Sequence, residues 1–279
     1  MKKIIAAHDL SGIGRASLSA VLPIISAMGG VVCSLPTAVL STVTGIFDGY
    51  TITDLTAQME KTIDHWSLLG VKFDYIYSGF LGSPKQVDTI ISAIRLFQGC
   101  YVVVDPVFAD NGKLYPTMDA EMVNNMRRLV TKADLITPNL TEAQFLLNEE
   151  CTDISADIAK DLLLRLSDMG PERVVITGCQ IGGEMFVFAY DKKADSFWRL
   201  RCNYAPADFH GTGDIFTSVL VGALSRGDGF PDAIALSASF VRHAIDATIE
   251  EEWDRRMGLL IEKVLGFLSL PPSINCERL

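Results

Sequence analysis

Basic residues are scarce in this chain of 279 residues: 24 Lys and Arg stand against 34 Asp and Glu, for a net charge of −10. That deficit excludes the broad basic face that a nucleic acid or an anionic membrane requires. It does not exclude a phosphate-bearing ligand, because a metal ion and backbone N–H groups hold phosphate locally inside an acidic protein. Cysteine pairing is missing too. Cys33, Cys100, Cys151, Cys179, Cys202 and Cys276 are scattered with no CxxC among them, so free thiols in a reducing cytosol are expected instead of a metal knuckle or redox pair. Only four apolar residues follow Met1-Lys2-Lys3 before His8 and Asp9, too few for a signal-peptide core. The stretch from Ala16 to Phe47 carries no charge, yet Pro23, Gly29-Gly30, Pro36 and many Ser and Thr interrupt it. It reads as a buried helix, a turn, a buried strand and a loop, and not as a membrane span. A cytoplasmic protein is expected.

Familiar catalytic signatures are equally sparse. There is no GxxxxGK[ST], no GxSxG and no protein-kinase landmark of the VAIK, HRD or DFG kind. The four histidines, His8, His65, His210 and His243, share no metal-ligand spacing. Gly12-Ile13-Gly14 lies between a strand and a helix, but Ser17 replaces the third glycine of a dinucleotide fingerprint. Leu35-Pro36-Thr37 stands where the ribose-binding acid belongs, so a Rossmann oxidoreductase is disfavoured. The glycines at 12 and 14 serve either a tight strand–helix turn or a substrate-binding turn.

What is present is an alternation of short apolar strands and amphipathic helices, in a chain that is 49% hydrophobic. Strands are expected at Lys3–Ala7, Val31–Leu35, Phe73–Ser78, Tyr101–Val104, Asp134–Thr137 and Arg173–Thr177. Helices are expected from about Arg15 to Met28, from a Thr53 cap to Leu69, from Pro84 to Phe97, and over Ala120–Val130 and Ala156–Met169. Met185–Tyr190 and Ser196–Cys202 read as an antiparallel edge hairpin. The last third reads as helical: Thr212–Leu224, Pro231–Ala247 and Met257–Leu268. This pattern predicts one domain, residues 1–279, of the three-layer α/β/α class with a mostly parallel central sheet and helices on both faces.

In such a sheet, ligands sit beyond the carboxyl ends of the strands. Polar or small residues follow the apolar strands there: His8-Asp9, Ser78-Gly79, Asp105-Pro106, Thr137-Pro138-Asn139 and Thr177-Gly178. Asp105 is either a loop cap before proline or a functional carboxylate. Asn139 and Glu142 suit the water shell of Mg²⁺, which prefers oxygen ligands, and they suit a helix capping box equally well. Gly211-Thr212-Gly213-Asp214 opens an apolar helix. Glycines there let an anion approach the unpaired N–H groups. Asp214 would repel a resting phosphate, but it suits an alcohol that must lose its proton as a phosphoryl group arrives. An ordinary helix start with an acidic first turn remains the alternative at this motif.

Taken in order, the Gly12/Gly14 turn, Ala20-Val21-Leu22-Pro23, Leu40-Ser41-Thr42-Val43-Thr44-Gly45, Ser78-Gly79-Phe80-Leu81-Gly82, Asp105-Pro106-Val107, Thr137-Pro138-Asn139-Leu140-Thr141-Glu142-Ala143, Val174-Val175-Ile176-Thr177 and Gly211-Thr212-Gly213-Asp214 resemble the ribokinase-like superfamily and, within it, the pyridoxal (vitamin B6) kinases. The resemblance implies ATP- and Mg²⁺-dependent phosphorylation of the 5′-hydroxymethyl group of pyridoxal, pyridoxamine or pyridoxine. It implies that Asp214 is the base and that Gly211, Thr212 and Gly213 form the anion hole. Asp105 and Glu142, with Asp110 as helper, would organise Mg²⁺ and the phosphates. Asn139, Thr177 and Tyr115 would lie along the nucleotide, and Asp9, Gly12, Thr44 and Phe80 on the vitamer side. A monovalent cation, K⁺ or Na⁺, and a homodimer are implied as well. Two positions depart from the pattern: Asp9 stands where those kinases usually carry Ser, and Phe80 where they often carry Tyr. Asp9 and His210 are more familiar from hydroxymethylpyrimidine kinases, which commonly carry Cys where Asp214 stands. A hydroxymethylpyrimidine or other small-alcohol kinase of the same fold is therefore the alternative, with a non-catalytic nucleotide- or vitamer-binding protein further off.

Overall fold

The computed structural model describes residues 1–150, 153–202 and 209–279; Cys151 lies outside them. In chain order the elements are β1 (Lys3–Ile13), α1 (Leu18–Ala27), β2 (Val31–Thr42), β3 (Ile52–Asp54), α2 (Thr56–Leu68), β4 (Tyr75–Ser78), α3 (Pro84–Leu96), β5 (Tyr101–Val104), β6 (Ala109–Asp110), β7 (Lys113–Leu114), α4 (Ala120–Val130), β8 (Leu135–Ile136), α5 (Leu140–Leu146), α6 (Ala156–Asp168), β9 (Arg173–Ile181), β10 (Glu184–Asp191), β11 (Ser196–Cys202), α7 (Thr212–Arg226), α8 (Phe230–Glu250) and β12 (Glu277–Arg278). The main sheet runs β12-β11-β10-β9-β8-β5-β4-β1-β2-β3, and β6 and β7 form a small separate ribbon.

From β2 to β9 the neighbouring strands are parallel. The expected antiparallel hairpin is present as β10 and β11, with β12 added outside it, and β3 closes the opposite edge antiparallel to β2. Both faces of the parallel strands are buried, which is why they read as unbroken apolar runs. Ile4, Ala6, Val103, Leu135 and Val175 face a core shared with α1, α7 and α8. Their sequence neighbours Ile5, Ala7, Val102, Val104, Ile136 and Val174 face the other core, with α2, α3, α4 and α6. The result is the expected three-layer α/β/α architecture. Helix starts follow local chemistry: Ser83, Asp119 and Ser155 accept the N–H of Gln86, Met122 and Ile158.

Several boundaries differ from the sequence expectation. β1 runs on through Ile13, so Gly12 is a strand residue and the turn into α1 is made at Gly14, at φ 106°. β2 extends to Thr42 because it pairs with this longer β1 and with β3. Thr53 belongs to β3, so α2 is capped at Leu55, with the Asp54 carboxylate accepting the Thr56 N–H at 2.9 Å. Residues 257–268 do not form an α-helix; three short 3₁₀ turns, Arg255–Met257, Ile261–Lys263 and Leu265–Ser269, stand there instead. Gly258 breaks the run at φ 79°, and the segment is pulled onto the turn before α1, where the Arg15 N–H donates to the Met257 carbonyl at 3.0 Å.

The chain leaves β1 for β2 on one side and later returns to β4 on the other. In doubly wound sheets the ligand crevice lies at such a reversal, which here falls outside the carboxyl ends of β1 and β4.

Candidate active site

β1 delivers His8 and Asp9 to that crevice. Its pairing with β2 is irregular between His8 and Leu10, which re-aims the Asp9 side chain, as bulges beside active sites do. Asp9 is buried, and its carboxylate accepts hydrogen bonds from the hydroxyls of Ser17 and Ser11, the latter at 3.1 Å. Burial raises its pKa, and these hydroxyls offset part of the rise.

Asp214 enters from the first turn of α7. The Gly211 N-cap is left-handed at φ 80°, and a Cβ there would sit 2.3 Å from the Arg15 carbonyl oxygen, so only glycine fits. A Cβ at Gly213 would meet nothing within 4 Å, which leaves open space beside the helix N-terminus. The Asp214 Oδ2 accepts the Ser17 N–H at 2.9 Å. Ser17 holds a positive φ of 50° to present that N–H, and its hydroxyl reaches Asp9, so one residue ties both carboxylates together. Burial pushes the Asp214 carboxyl up to about 7; the Ser17 N–H lowers it and the charge of Asp9 raises it further.

Asp105 lies fully buried past the end of β5, hydrogen-bonded to the hydroxyls of Thr137 and Thr217. Burial, then the charges of Glu142 and Asp214, hold its pKa well above the usual carboxylate range. Asn139 and Glu142 do form the capping box of α5: Asn139 Oδ1 accepts the Glu142 N–H at 2.9 Å, and Glu142 Oε2 accepts the Asn139 N–H at 3.0 Å. Glu142 Oε1 also takes the Phe108 N–H at 2.9 Å. Even so, burial pushes the Glu142 carboxyl up to about 8. The two readings of this motif are therefore compatible: the cap that starts the helix also fixes a buried carboxylate beside Asp105. Asp110 is exposed on β6 and adds its charge to Glu142. Tyr115 is raised by burial and by the charges of Glu142, Asp110, Asp105 and Asp214, which places its hydroxyl among all four acids.

Thr177 pairs with Asn139 across an isolated bridge, and its N–H donates to the Pro138 carbonyl at 3.0 Å. The expected vitamer-side residues are more dispersed. Gly12 sits in β1 against the Ser41 carbonyl, Thr44 is exposed in the loop after β2, and Phe80 packs on the α2–α3 side with its carbonyl accepting from Thr37. Sequence reasoning missed Ser17, Thr217 and Tyr77. The hydroxyl of Thr217, three residues beyond Asp214 in a mostly apolar helix, was a usable signal: it donates to Thr137 at 3.0 Å and reaches Asp105. Tyr77 offered none, since its hydroxyl meets the Asp214 carbonyl only through the fold.

Among the described residues, no Lys or Arg is ion-paired with Asp9, Asp105, Glu142 or Asp214. Unpaired buried carboxylates are costly, and all four of these acids respond by holding their protons more tightly than exposed ones do. Among the described residues no group of three or more His, Cys, Asp or Glu is close enough to ligate a metal ion unaided.

The phosphomethylpyrimidine kinase family model matches residues 13–255. The chain belongs to this family. Its members are phosphotransferases that act on an alcohol, and pyridoxal kinases of the ribokinase-like fold are among its relatives. A candidate phosphomethylpyrimidine kinase from Bacteroides thetaiotaomicron is 46% identical, covering 100% of this chain and 98% of that one with a TM-score of 0.97. A second crystal form of it, described as containing pyridoxal, aligns with a TM-score of 0.96. The pyridoxal kinase of Lactobacillus plantarum is 29% identical with a TM-score of 0.89, covering 96% of each chain. The pyridoxal kinase of Arabidopsis thaliana is 28% identical over 191 residues, which span 65% of this chain and 60% of that relative's length. No helix among the described residues is long and apolar enough to cross a membrane.

Proposed function

We propose that the chain phosphorylates the 5′-hydroxymethyl group of a B6 vitamer with ATP and Mg²⁺, giving the 5′-phosphate. The observation that carries this reading is Asp214: a buried carboxylate poised near pH 7, beside open space at a helix N-terminus, in a crevice of unpaired acids. General bases work best when their pKa lies near the operating pH.

The bound nucleotide and its divalent ion supply the phosphoryl group and the positive charge that these acids lack. Asp105, Glu142 and Asp110 are the residues that would hold the ion. Glu142 also accepts the N–H groups of Phe108 and Asn139, which fixes its carboxylate in place. Asn139, Thr177 and Tyr115 border the nucleotide side. The N–H groups of Gly211, Thr212 and Gly213 stabilise negative charge as it develops during transfer. Asp214 accepts the proton of the hydroxymethyl oxygen. Asp9 faces the acceptor with a carboxylate that favours a ring N–H or an amine, as in pyridoxamine.

The relative described as containing pyridoxal, at 46% identity, supports the vitamer as acceptor. A hydroxymethylpyrimidine is the second reading, favoured by Asp9, by His210 and by the family model itself. The test is ATP consumption across pyridoxal, pyridoxamine, pyridoxine and hydroxymethylpyrimidine, with Asp214→Ala as control. A vitamer should stimulate turnover most and the control should abolish it; no stimulation by any of the four alcohols would refute the reading.

A further inference from the structure

His8 is fully buried at the crevice, and neither ring nitrogen has a hydrogen-bond partner. Orphaned polar atoms of this kind are rare in folded proteins and call for a reason. The ring is closely held. Tyr77 meets it edge-on with centroids 4.3 Å apart, and a Cβ on Gly79 would lie 2.2 Å from Nδ1, so residue 79 is glycine to admit the imidazole. Nδ1 points at Asp214 Oδ1 across 3.7 Å, and that oxygen is a buried orphan as well. The other carboxylate oxygen, Oδ2, is already fixed by the Ser17 N–H. Two orphans thus face each other at the proposed base, about 0.7 Å beyond ordinary hydrogen-bond length. Burial pulls the His8 pKa down to about 3, so the contact is not an ion pair: the ring is neutral and has one N–H to place.

We propose that His8 is a positioning residue for Asp214, its Nδ1–H aimed at Oδ1 and closing the 3.7 Å gap to a hydrogen bond when the site is filled, which leaves a lone pair of Oδ2 turned toward the acceptor alcohol. The inference rests on the reading of Asp214 as base. His8 itself touches neither substrate nor nucleotide. It faces Oδ1 while the Ser17 N–H holds Oδ2, so both oxygens of the base are fixed. The donated N–H also favours the charged carboxylate against its burial. The other titratable groups in the field of Asp214 are Asp9 on β1, Tyr77 on β4, Asp105 after β5 and Tyr115 after β7.

The experiment compares His8→Phe, which keeps a ring without a donor, with His8→Asn, which keeps a donor near the Nδ1 position, in the full chain with pyridoxal and Mg-ATP. Loss of a hydrogen bond to a charged group should lower kcat about ten- to a hundredfold in His8→Phe. It should also move the acid limb of the pH profile up by about one unit and leave the KM for ATP within about twofold. His8→Asn should restore most of kcat and return the limb. A wild-type limb and kcat in His8→Phe, or no recovery in His8→Asn, overturns the proposal. ¹⁵N NMR of the wild-type rings reads it without any variant: the Nδ1-protonated tautomer is expected at His8, and the Nε2-protonated one overturns it. Asp214→Asn separates the two levels. If it stays active, the base reading fails; if it is inactive while His8→Phe is unchanged, only His8's role fails.

Discussion

Asp214 can take a proton only while charged, and burial has moved its titration to about 7. Activity that depends on it is therefore full above that pH and falls about tenfold per unit below it. The pH profile of kcat/KM, which reports the free enzyme, should show an acid limb near 7 that disappears in Asp214→Asn. That variant should lose roughly 10²–10⁴-fold in kcat while melting close to wild type. At Asp9, replacement by Ser should lower the preference for pyridoxamine over pyridoxal about tenfold, measured as a ratio of kcat/KM; an unchanged ranking would remove Asp9 from the specificity account. At this scale the sequence was readable where a residue announces its own chemistry. Asp105, Glu142 and Asp214 stand out in the sequence as acids at strand ends and a helix start, and the fold brings their charges to bear on one another and on Tyr115. Ser17 was not readable, because its role depends on a positive φ that no serine advertises. Nor could sequence show that Asn139 and Glu142 combine a cap with a buried charge, since both readings use the same two residues.

The elements carry the next set of constraints. The start of α7 contains two glycines with different duties. Gly211 is pinned by a left-handed backbone and by the Arg15 carbonyl, so Gly211→Ala should cost about 1–3 kcal/mol or more, seen as a lower midpoint in denaturant. Gly213 borders open space, so Gly213→Ala should melt within a few degrees of wild type and yet transfer phosphate poorly, its methyl group crowding the anion hole. If Gly213→Ala turned over at the wild-type rate, that space would not be the phosphoryl site. Most elements were legible because the parallel strands are solidly apolar and the helices periodic. β1 and β2 were misjudged in length because their outer halves form a clasp with the exposed β3, where polar residues and glycine look like a turn. Residues 257–268 have helical periodicity, but Gly258 and the hydrogen bond to Arg15 bind them into 3₁₀ turns that brace the loop carrying Ser17.

For the whole molecule, the converging acids set a pH dependence of stability. Asp105, Glu142 and Asp214 have folded pKa values raised above the ordinary 3.8 to 4.5, Glu142 to about 8 and Asp214 to about 7. The folded state thus binds more protons than the unfolded one between about 4 and 8, and stability falls as pH rises through that window. Ligand-free protein should melt roughly 3 °C or more higher at pH 6 than at pH 8 by calorimetry. Mg-ATP should close that gap by supplying the missing positive charge, and Asp214→Asn should narrow it. A melting temperature that climbs with pH would mean the acids are compensated within the protein. The central claim concerns which alcohol receives the phosphate, and a competition answers it most directly. Pyridoxal and hydroxymethylpyrimidine at equal concentration, with limiting Mg-ATP, are incubated with the protein and the products identified by mass spectrometry. Pyridoxal 5′-phosphate should dominate; predominance of the pyrimidine phosphate, or no phosphorylated product, would contradict the account.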